Sequence, residues 1–259
     1  MAVDLVTIAD LRTRAFALLP WIEAVTPSAV VEDLLLVCLS TAKDTLEEDL
    51  QTWWEHRVIR QTAPEEGDLY DTTEPAFDYY AARFQRRELP RWHMRRTPVV
   101  SVEGIRLQFG ENHVVLDIPD QWIRLVYPHS GVVTVQPIGT TSLVAAGSSR
   151  PWFLPLLSER YTTDPVPTFC AIDYTAGWYD PTAATLPDGS STVRNAILAE
   201  AYRELLLRAA RIVANTASAG GASQNFLSVP EELKAVEAEV MTFKKWWAKH
   251  YKPPRMVVV

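Results

Sequence analysis

The chain has 259 residues, of which 47% are hydrophobic and 22% are charged, and its formal net charge at pH 7 is -7. This length can bury one large core or two modest ones, and this composition excludes disorder over most of the chain. The negative net charge argues against a general nucleic-acid-binding protein, because such proteins are usually basic.

The N-terminal part of the sequence predicts two helices. Residues 8–19 are predicted to form a short helix that ends at Pro20. A much longer helix is predicted over residues 27–60, with Thr26 as its cap and Pro27 at its first helical position. Apolar residues recur along this helix every three or four positions, which places them on one buried stripe: Val31, Leu35, Leu39, Ala42, Leu46, Leu50 and Trp53.

Two blocks of opposite charge follow the long helix. The acidic block contains Glu65, Glu66, Asp68, Asp71, Glu74 and Asp78, and the basic block contains Arg83, Arg86, Arg87, Arg91, Arg95 and Arg96. Such blocks suit copies of one chain packing side by side in a ring, and they also fit two solvated faces. All of these residues except Glu74 and Asp78 are candidate inter-subunit residues.

The middle of the chain predicts a sheet. A short helix is predicted over residues 75–87, and the hydrophobic period then changes to two. Strands are predicted near residues 99–106 and 114–118, with a turn over residues 110–112, and again over 122–126 and 131–138. These strands are expected to form one compact antiparallel sheet.

The segment 169–210 alternates like a strand and then turns into a helix. The strand, 168–174, is expected to return to the sheet, and Gly177 is expected to end it. Ser190 or Ser191 is expected to cap the helix that starts near Thr192. The predicted buried stripe of this helix contains Val193, Ile197, Ala201, Leu205, Ala209 and Ile212. A last helix is predicted after Pro230, and its buried stripe contains Leu233, Val236, Val240, Phe243 and Trp247.

The predicted fold class is therefore α+β, a helical bundle with an inserted small antiparallel sheet and an extended C-terminal tail. Residues 1–96 are predicted as the N-terminal helical part, and 97–175 as the inserted β region with an irregular loop over 151–167. Residues 176–249 complete the bundle, and 250–259 form the tail.

The sequence contains no motif for catalysis, metal binding or a cofactor. The five histidines have no metal-ligand spacing: His56, His93, His113, His129 and His250. Adjacent acids such as Glu47 and Glu48 point in different directions on a helix. Cys38 and Cys170 are isolated and are interpreted as small buried apolar residues. We therefore expect no enzyme activity, no metal and no cofactor.

The sequence also lacks membrane and secretion signals. No apolar run approaches the roughly 18 residues that span a bilayer. Charged residues interrupt residues 1–19, so no signal peptide is expected. We expect a protein without a membrane partner that folds in a cytoplasm.

The C-terminal residues mix aromatic and basic side chains. Trp246 and Trp247 lie in a segment with five basic residues and no acid: Lys244, Lys245, Lys249, Lys252 and Arg255. Aromatic residues among lysines stack on nucleic acid or dock into another protein. In an acidic protein, docking is the favoured interpretation.

Five segments together suggest a family. Residues 173–177 read Asp-Tyr-Thr-Ala-Gly at a strand end, and a proline-marked loop and a small-residue helix follow over 186–210. A long helix over 32–53 and a proline-valine strand over 97–102 come before, and small residues over 215–228 come after. This order resembles the head-tail connector (adaptor) family of long-tailed bacteriophages.

The resemblance implies a structural virion protein without enzyme activity. Members form rings, usually dodecameric, under the portal and above the tail, around the channel through which DNA passes. The implied partners are the portal protein, copies of the chain itself, a downstream neck or tail protein, and DNA that passes without sequence-specific binding. The implied location is the virion neck, after assembly in the host cytoplasm.

The C-terminal segment of such proteins commonly reaches the portal. By resemblance, the predicted portal-binding residues are Phe243, Trp246, Trp247, His250, Tyr251, Lys252, Pro253, Pro254, Arg255, Met256, Val257, Val258 and Val259. The apolar end of this segment could add a strand or fill a groove.

Three alternatives stay open. A tail-completion or stopper protein would lie lower in the same neck. A nucleic-acid-binding module would use the basic residues of 83–96 and 244–255. An enzyme would need a site assembled from scattered residues that no motif reveals.

Overall fold

The computed structural model describes residues 5–62, 72–78, 91–109, 113–136, 169–183, 185–217 and 229–251. Within these ranges the chain forms two compact units. The helical unit contains the chain up to Thr52 and again from Tyr179, and the β unit contains the chain from Trp53 to Trp178. The described α-helices all belong to the first unit and the described strands all belong to the second. The predicted α+β class is therefore confirmed.

Two short helices open the helical unit. Helix α1 spans Ile8–Arg14, and α2 spans Leu19–Val25. The Thr7 hydroxyl accepts a hydrogen bond from the Asp10 amide (3.4 Å), and the Asp10 carboxylate accepts one from the Thr7 amide (2.9 Å). This capping box fixes the start of α1. The prediction of one helix that ends at Pro20 is wrong, because Pro20 lies in the first turn of α2, where a missing N–H breaks no helical hydrogen bond.

Helix α3 is the long N-terminal helix and spans Ser28–Leu50. Its predicted apolar stripe is buried: Val31, Leu35, Leu39, Ala42, Leu46 and Leu50. Pro27 rather than Thr26 is its N-cap residue. The predicted end at Arg60 is wrong, because Gln51 adopts a left-handed conformation (φ 54°) and its N–H bonds back to carbonyls of the last turn. Such a residue terminates a helix and turns the chain away.

Helices α4 and α5 span Ser190–Ala217 and Val229–Tyr251. Helix α4 packs against α1, α3 and α5, and it begins slightly before the predicted Thr192. Buried side chains confirm both predicted stripes: Val193, Ile197, Ala201, Leu205 and Ala209 on α4, and Val236, Val240, Phe243 and Trp247 on α5. Of the other two predicted members, Leu233 is half-buried and Ile212 falls outside the described side chains.

The β unit contains nine strands within the described ranges. They are β1 Arg57–Arg60, β2 Thr72–Thr73, β3 Phe77–Asp78, β4 Arg91–His93, β5 Val99–Phe109, β6 His113–Asp117, β7 Ile123–Tyr127, β8 Val132–Val135 and β9 Phe169–Ala176. Six form one sheet in the order β2-β1-β9-β5-β6, with β3 also paired to β9, and β4, β8 and β7 form a second sheet.

The prediction of a single antiparallel sheet is wrong in two respects. Strands β1 and β2 pair in parallel, so the larger sheet is mixed. Strands β7 and β8 belong to the second sheet, because Pro119 and a short 3-10 helix, Asp120–Trp122, follow β6 and redirect the chain. The predicted pairing of β5 with β6 is confirmed, while the turn over residues 110–112 lies outside the described residues.

Strand β9 lies at the centre of the larger sheet, between β1 and β5. This confirms the strand that was predicted to return to the sheet. Tyr174 pairs with Ile59 of β1 on one side and with Val102 of β5 on the other. Both sheets contribute to one apolar core, whose largest fully buried members are Trp122, Tyr174, Ile59, Ile105, Leu107 and Ile172.

The predicted helix over residues 75–87 is wrong at Phe77 and Asp78. These residues form β3, in which Phe77 pairs with Cys170 of β9 and packs its side chain against the apolar core. Tertiary pairing therefore overrides the local helical pattern. The described residues of 53–96 belong to the β unit, whereas the prediction counted them with the helices. Residues 79–87, the loop 151–167 and the tail from 252 lie outside the described residues.

Gly177 ends β9, as predicted, at a point where three backbone segments meet. Its φ is 148°, a value that favours glycine, and a Cβ there would lie 2.3 Å from the carbonyl oxygen of Glu55. The Gly177 N–H donates to the Pro98 carbonyl (3.0 Å), and the Trp178 N–H donates to the Trp53 carbonyl (2.9 Å). Only a residue without a side chain fits this crossing.

Both cysteines are buried free thiols, as interpreted from the sequence. Burial raises the pKa of Cys38 to about 11 and raises the pKa of Cys170 further. The thiolate is the reactive form, so we expect neither thiol to react with a disulfide reagent at pH 8 in the folded protein. Colorimetric titration should count both thiols only after denaturation. Rapid reaction of either thiol in native buffer would contradict this burial.

Candidate functional site

The last turns of α5 carry an aromatic cluster built from predicted portal-binding residues. Spacings of three and four residues bring successive rings over one another on a helix. The Trp247 and Tyr251 rings stack with centroids 4.1 Å apart, and the Trp246 ring lies 4.8 Å from the His250 ring. The Phe243 ring stacks on Trp246 at 5.8 Å. The cluster stiffens the end of the helix.

Burial divides this cluster into core and surface. Phe243 and Trp247 are buried in the helical unit, where their rings fill the unit's own core. Their predicted portal contact stays a prediction. Trp246 and Tyr251 are half-buried and His250 is exposed. The remaining predicted portal-binding residues lie outside the described residues: Lys252, Pro253, Pro254, Arg255, Met256, Val257, Val258 and Val259.

The basic residues of α5 also divide into two kinds. Lys244 forms an ion pair with Asp49 of α3 at 2.5 Å, so it holds two helices of its own unit together. Lys245 and Lys249 are exposed, and within the described ranges neither has an ion-pair partner. Among the described lysines near this end of α5, Lys245 and Lys249 therefore form the accessible basic surface.

The charged blocks meet within one chain where the structure describes them. Arg95 forms an ion pair with Glu74 (3.4 Å) and lies over the Phe77 ring at 4.4 Å. Arg96 lies over the Trp53 ring at 5.2 Å. These two arginines therefore contact residues of their own β unit, and their predicted inter-subunit role stays a prediction. Of the other candidates, Arg91 is exposed on β4, and Glu65, Glu66, Asp68, Asp71, Arg83, Arg86 and Arg87 lie outside the described residues.

Tyr174 extends this internal network into the core. Its hydroxyl donates to the Glu74 carboxylate (3.1 Å), which also pairs with Arg95. Burial, followed by the charge and hydrogen bond of Glu74, raises the pKa of Tyr174 well above its ordinary value. Tyr174 therefore stays protonated and serves as a hydrogen-bond donor in the β unit.

A buried carboxylate, Asp173, is the charged site that sequence reasoning missed. It is 3% exposed. Its Oδ1 accepts hydrogen bonds from the amides of Gln61 (2.9 Å) and Thr62 (3.2 Å), and its Oδ2 accepts one from the Thr62 hydroxyl (3.1 Å). The guanidinium groups of Arg60 and Arg106 lie 3.6 and 3.8 Å from Oδ2. The sequence signal that could have revealed this site is a single acid, Asp173, within an otherwise uncharged strand.

The contacts of Asp173 spread across the larger sheet. Arg60 also pairs with Glu103 of β5 at 2.7 Å, and Arg106 also pairs with Asp117 of β6 at 3.2 Å. The network therefore ties β1, β5, β6 and β9 together. Both oxygens of Asp173 already accept hydrogen bonds, so this arrangement stabilises the sheet and leaves the carboxylate poorly suited to abstract a proton.

A surface cleft of ≈ 470 Å³ is lined by residues of α1 and of the start of α4. Its charged residues are already paired: Asp10 with Arg194, and Arg14 with Glu239 of α5. Burial raises the pKa of Asp10, but hydrogen bonds from Thr7 and Arg194 outweigh it, and the net pKa lies below the usual value. The cleft offers ion pairs rather than an acid and a base available for catalysis.

The described residues form neither a metal site nor a membrane-spanning helix. In the part of the chain that the structure describes, no three His, Cys, Asp or Glu side chains are placed to hold a metal ion. None of the described helices combines the length and the apolar character needed to cross a membrane.

Comparisons with known proteins give a structural similarity but no family. No family model matches the sequence, and no curated protein matches it. The chain is similar to a chain in a solved structure of the neck of a native GTA particle computed with C12 symmetry. The two are 15% identical with a TM-score of 0.38, over 100% of this chain and 97% of that chain. A TM-score of this size carries no argument about function.

Proposed function

We propose that this chain is a structural virion protein that acts as a head-to-tail adaptor. Copies of it form a dodecameric ring under the portal, join the capsid to a downstream neck or tail protein, and continue the DNA channel. Assembly takes place in the host cytoplasm, and the protein transforms no substrate.

One observation supports the proposal: the segments that resemble the adaptor family form helices and strands in the expected order. Most of 32–53 lies in α3, and 97–102 leads into β5. Residues 173–176 form the end of the central strand β9, and Gly177 follows it directly. Much of 186–210 lies in α4, which packs against α3. The order of elements expected from the resemblance therefore agrees with the elements of the fold.

The proposed mechanism is geometric and electrostatic. The helical unit is a packed body whose surface carries charges without an ion-pair partner among the described residues, which suits lateral packing of copies. The net charge of -7 repels DNA phosphates, so DNA can slide past the ring without sticking. The exposed side of the α5 end, with Trp246 and His250, and the residues that follow it would dock to the portal.

Paired charges support a structural rather than an enzymatic role. The ion pairs of the α1–α4 cleft and the saturated carboxylate of Asp173 leave these groups without the free acid or base that an enzyme reaction needs. The acidic net charge also disfavours the alternative of a nucleic-acid-binding module.

Deletion of residues 252–259 combined with Trp246→Ala tests the proposal. We expect this variant to fold, because the buried Phe243 and Trp247 stay in place, and to lose co-sedimentation with the portal ring of the same virus. Phe16→Ala is the matched control, because Phe16 is an aromatic residue that is 79% exposed elsewhere in the helical unit.

The readouts are portal binding, circular dichroism and DNA affinity at several salt concentrations. Loss of portal binding with an intact fold supports the adaptor. Full portal binding by the variant contradicts docking through this segment. If the wild-type chain does not bind the portal but binds DNA with an affinity that falls steeply with salt concentration, it is instead a nucleic-acid-binding module.

A further inference from the structure

The outer face of α3 carries both apolar and acidic side chains. Val30, Asp33, Val37, Asp44 and Glu48 are separated by three, four, seven and four residues, so they lie on one stripe of the helix. All five are exposed, and the two valines are 50% and 43% exposed. The buried stripe of α3 faces other helices of the unit, so this second stripe faces solvent.

The outer face of α5 has the opposite charge. Lys234, Ala238, Met241, Lys245 and Lys249 are separated by four, three, four and four residues and also lie on one stripe. All five are exposed, and Met241 is 52% exposed. Each stripe therefore combines exposed apolar residues with three charges of a single sign, and on α5 the exposed Glu231 and Glu237 flank the stripe three residues before and after Lys234.

These charges differ from the others on the same helices. Several neighbouring charges are paired within the chain: Glu32 with Arg12, Asp49 with Lys244 and Glu239 with Arg14. Among the residues that the structure describes, no ion-pair partner serves the charges of the two stripes: Asp33, Asp44 and Glu48, and Lys234, Lys245 and Lys249. As far as the described residues go, the two stripes are available for partners outside the chain.

We propose that the outer face of α3 in one copy binds the outer face of α5 in the next copy. The inference rests on the proposed ring and names the surface that joins its copies. Opposite charges meet across this contact, and Val30 and Val37 approach Met241. Contact between two α3 faces, or between two α5 faces, would bring three like charges together. The charge pattern therefore disfavours α3–α3 and α5–α5 contacts and favours α3 against α5, the contact that a head-to-tail ring repeats from copy to copy.

Cross-linking tests the identity of the two faces. Val37→Cys copies mixed with Met241→Cys copies should be joined by a short bismaleimide, whereas neither variant alone should be. The native Cys38 and Cys170 are buried and leave the reaction specific. Phe16→Cys serves as the control, because Phe16 is exposed (79%) but lies on neither stripe. Linkage of Val37→Cys copies to each other would overturn the proposal, because it would show an α3–α3 contact.

Charge reversal tests the electrostatics. Lys234→Glu with Lys245→Glu, or Asp33→Lys with Asp44→Lys, should raise the concentration of half-assembly by about tenfold or more, measured by sedimentation. A mixture of the two variants should regain assembly, because every α3–α5 contact in an alternating ring again joins opposite charges. Unchanged melting temperatures would show that the variants fold.

The outcomes separate this inference from the proposed function. If both variants still assemble normally and bind the portal, the α3–α5 contact is wrong and the adaptor role stands. If mixing fails to restore assembly, the contact is likewise overturned. If the wild-type chain forms no ring either alone or in the presence of a portal ring, both the α3–α5 contact and the adaptor role are wrong.

Discussion

Gly177→Ala is expected to destabilise the protein by about 3 kcal/mol or more. An alanine Cβ would lie 2.3 Å from the Glu55 carbonyl oxygen and 2.6 Å from the His56 Cα, and both neighbours are backbone that cannot rotate away. The φ of 148° adds strain for any residue with a side chain. Guanidinium unfolding followed by tryptophan fluorescence measures the change in the free energy of unfolding.

Gly104→Ala is the matched control for this prediction. A Cβ on Gly104 meets nothing within 4 Å, although this glycine lies in β5 of the same unit. Its substitution should change the free energy of unfolding by less than about 1 kcal/mol, in the stabilising direction. Equal effects of the two substitutions would refute the close crossing at the end of β9.

Asp173→Ala is expected to lower the free energy of unfolding by about 3 to 5 kcal/mol. Its removal leaves the amides of Gln61 and Thr62 without their acceptor and takes the buried counter-charge away from Arg60 and Arg106. Asp173→Asn should have a smaller effect, because its amide oxygen can still accept a backbone hydrogen bond. Chemical unfolding and hydrogen exchange of the Gln61 amide both report this loss.

Asp117→Ala provides the comparison for Asp173. Asp117 pairs with the same Arg106 in the same sheet, but its side chain is 74% exposed. A surface ion pair contributes little, so this substitution should change stability by less than about 1 kcal/mol. If Asp173→Ala and Asp117→Ala had equal free energies of unfolding, the buried hydrogen bonds and ion pairs of Asp173 would not stabilise the sheet.

The helical stripes were predictable because helix periodicity is a local property. Apolar residues at spacings of three and four marked the buried faces of α3, α4 and α5. The strand β9 and its end at Gly177 were predictable for the same reason, since alternation and a glycine lie close together in the sequence.

The ends and partners of these elements were harder to predict. The pattern of α3 continues through Trp53, yet the helix stops at Leu50. Phe77 lies in a stretch predicted as helix but forms a strand, because pairing with Cys170 and contact with the core outweigh the local preference. Both errors arise where a distant segment provides better packing than the next helical turn.

The candidate functional residues show the same division. An acidic and a basic block are visible in the sequence, but only the folded chain shows that Arg95 pairs with Glu74 of the same chain. Phe243 and Trp247 fit both a core stripe and a docking segment by their spacing, and burial decides for the core. The unpaired outer faces of α3 and α5 emerge only when the intrachain ion pairs are known.

Residue order alone determined that this chain folds as α+β, which helix faces are apolar, and that its cysteines lie in the interior, since each follows from near neighbours along the chain. The division into two units, the mixed sheet around β9 and the saturation of Asp173 required the folded structure. These features depend on contacts between residues about a hundred positions apart. Closing such long loops is favourable only when burial and hydrogen bonding at many sites act together, which no local pattern records.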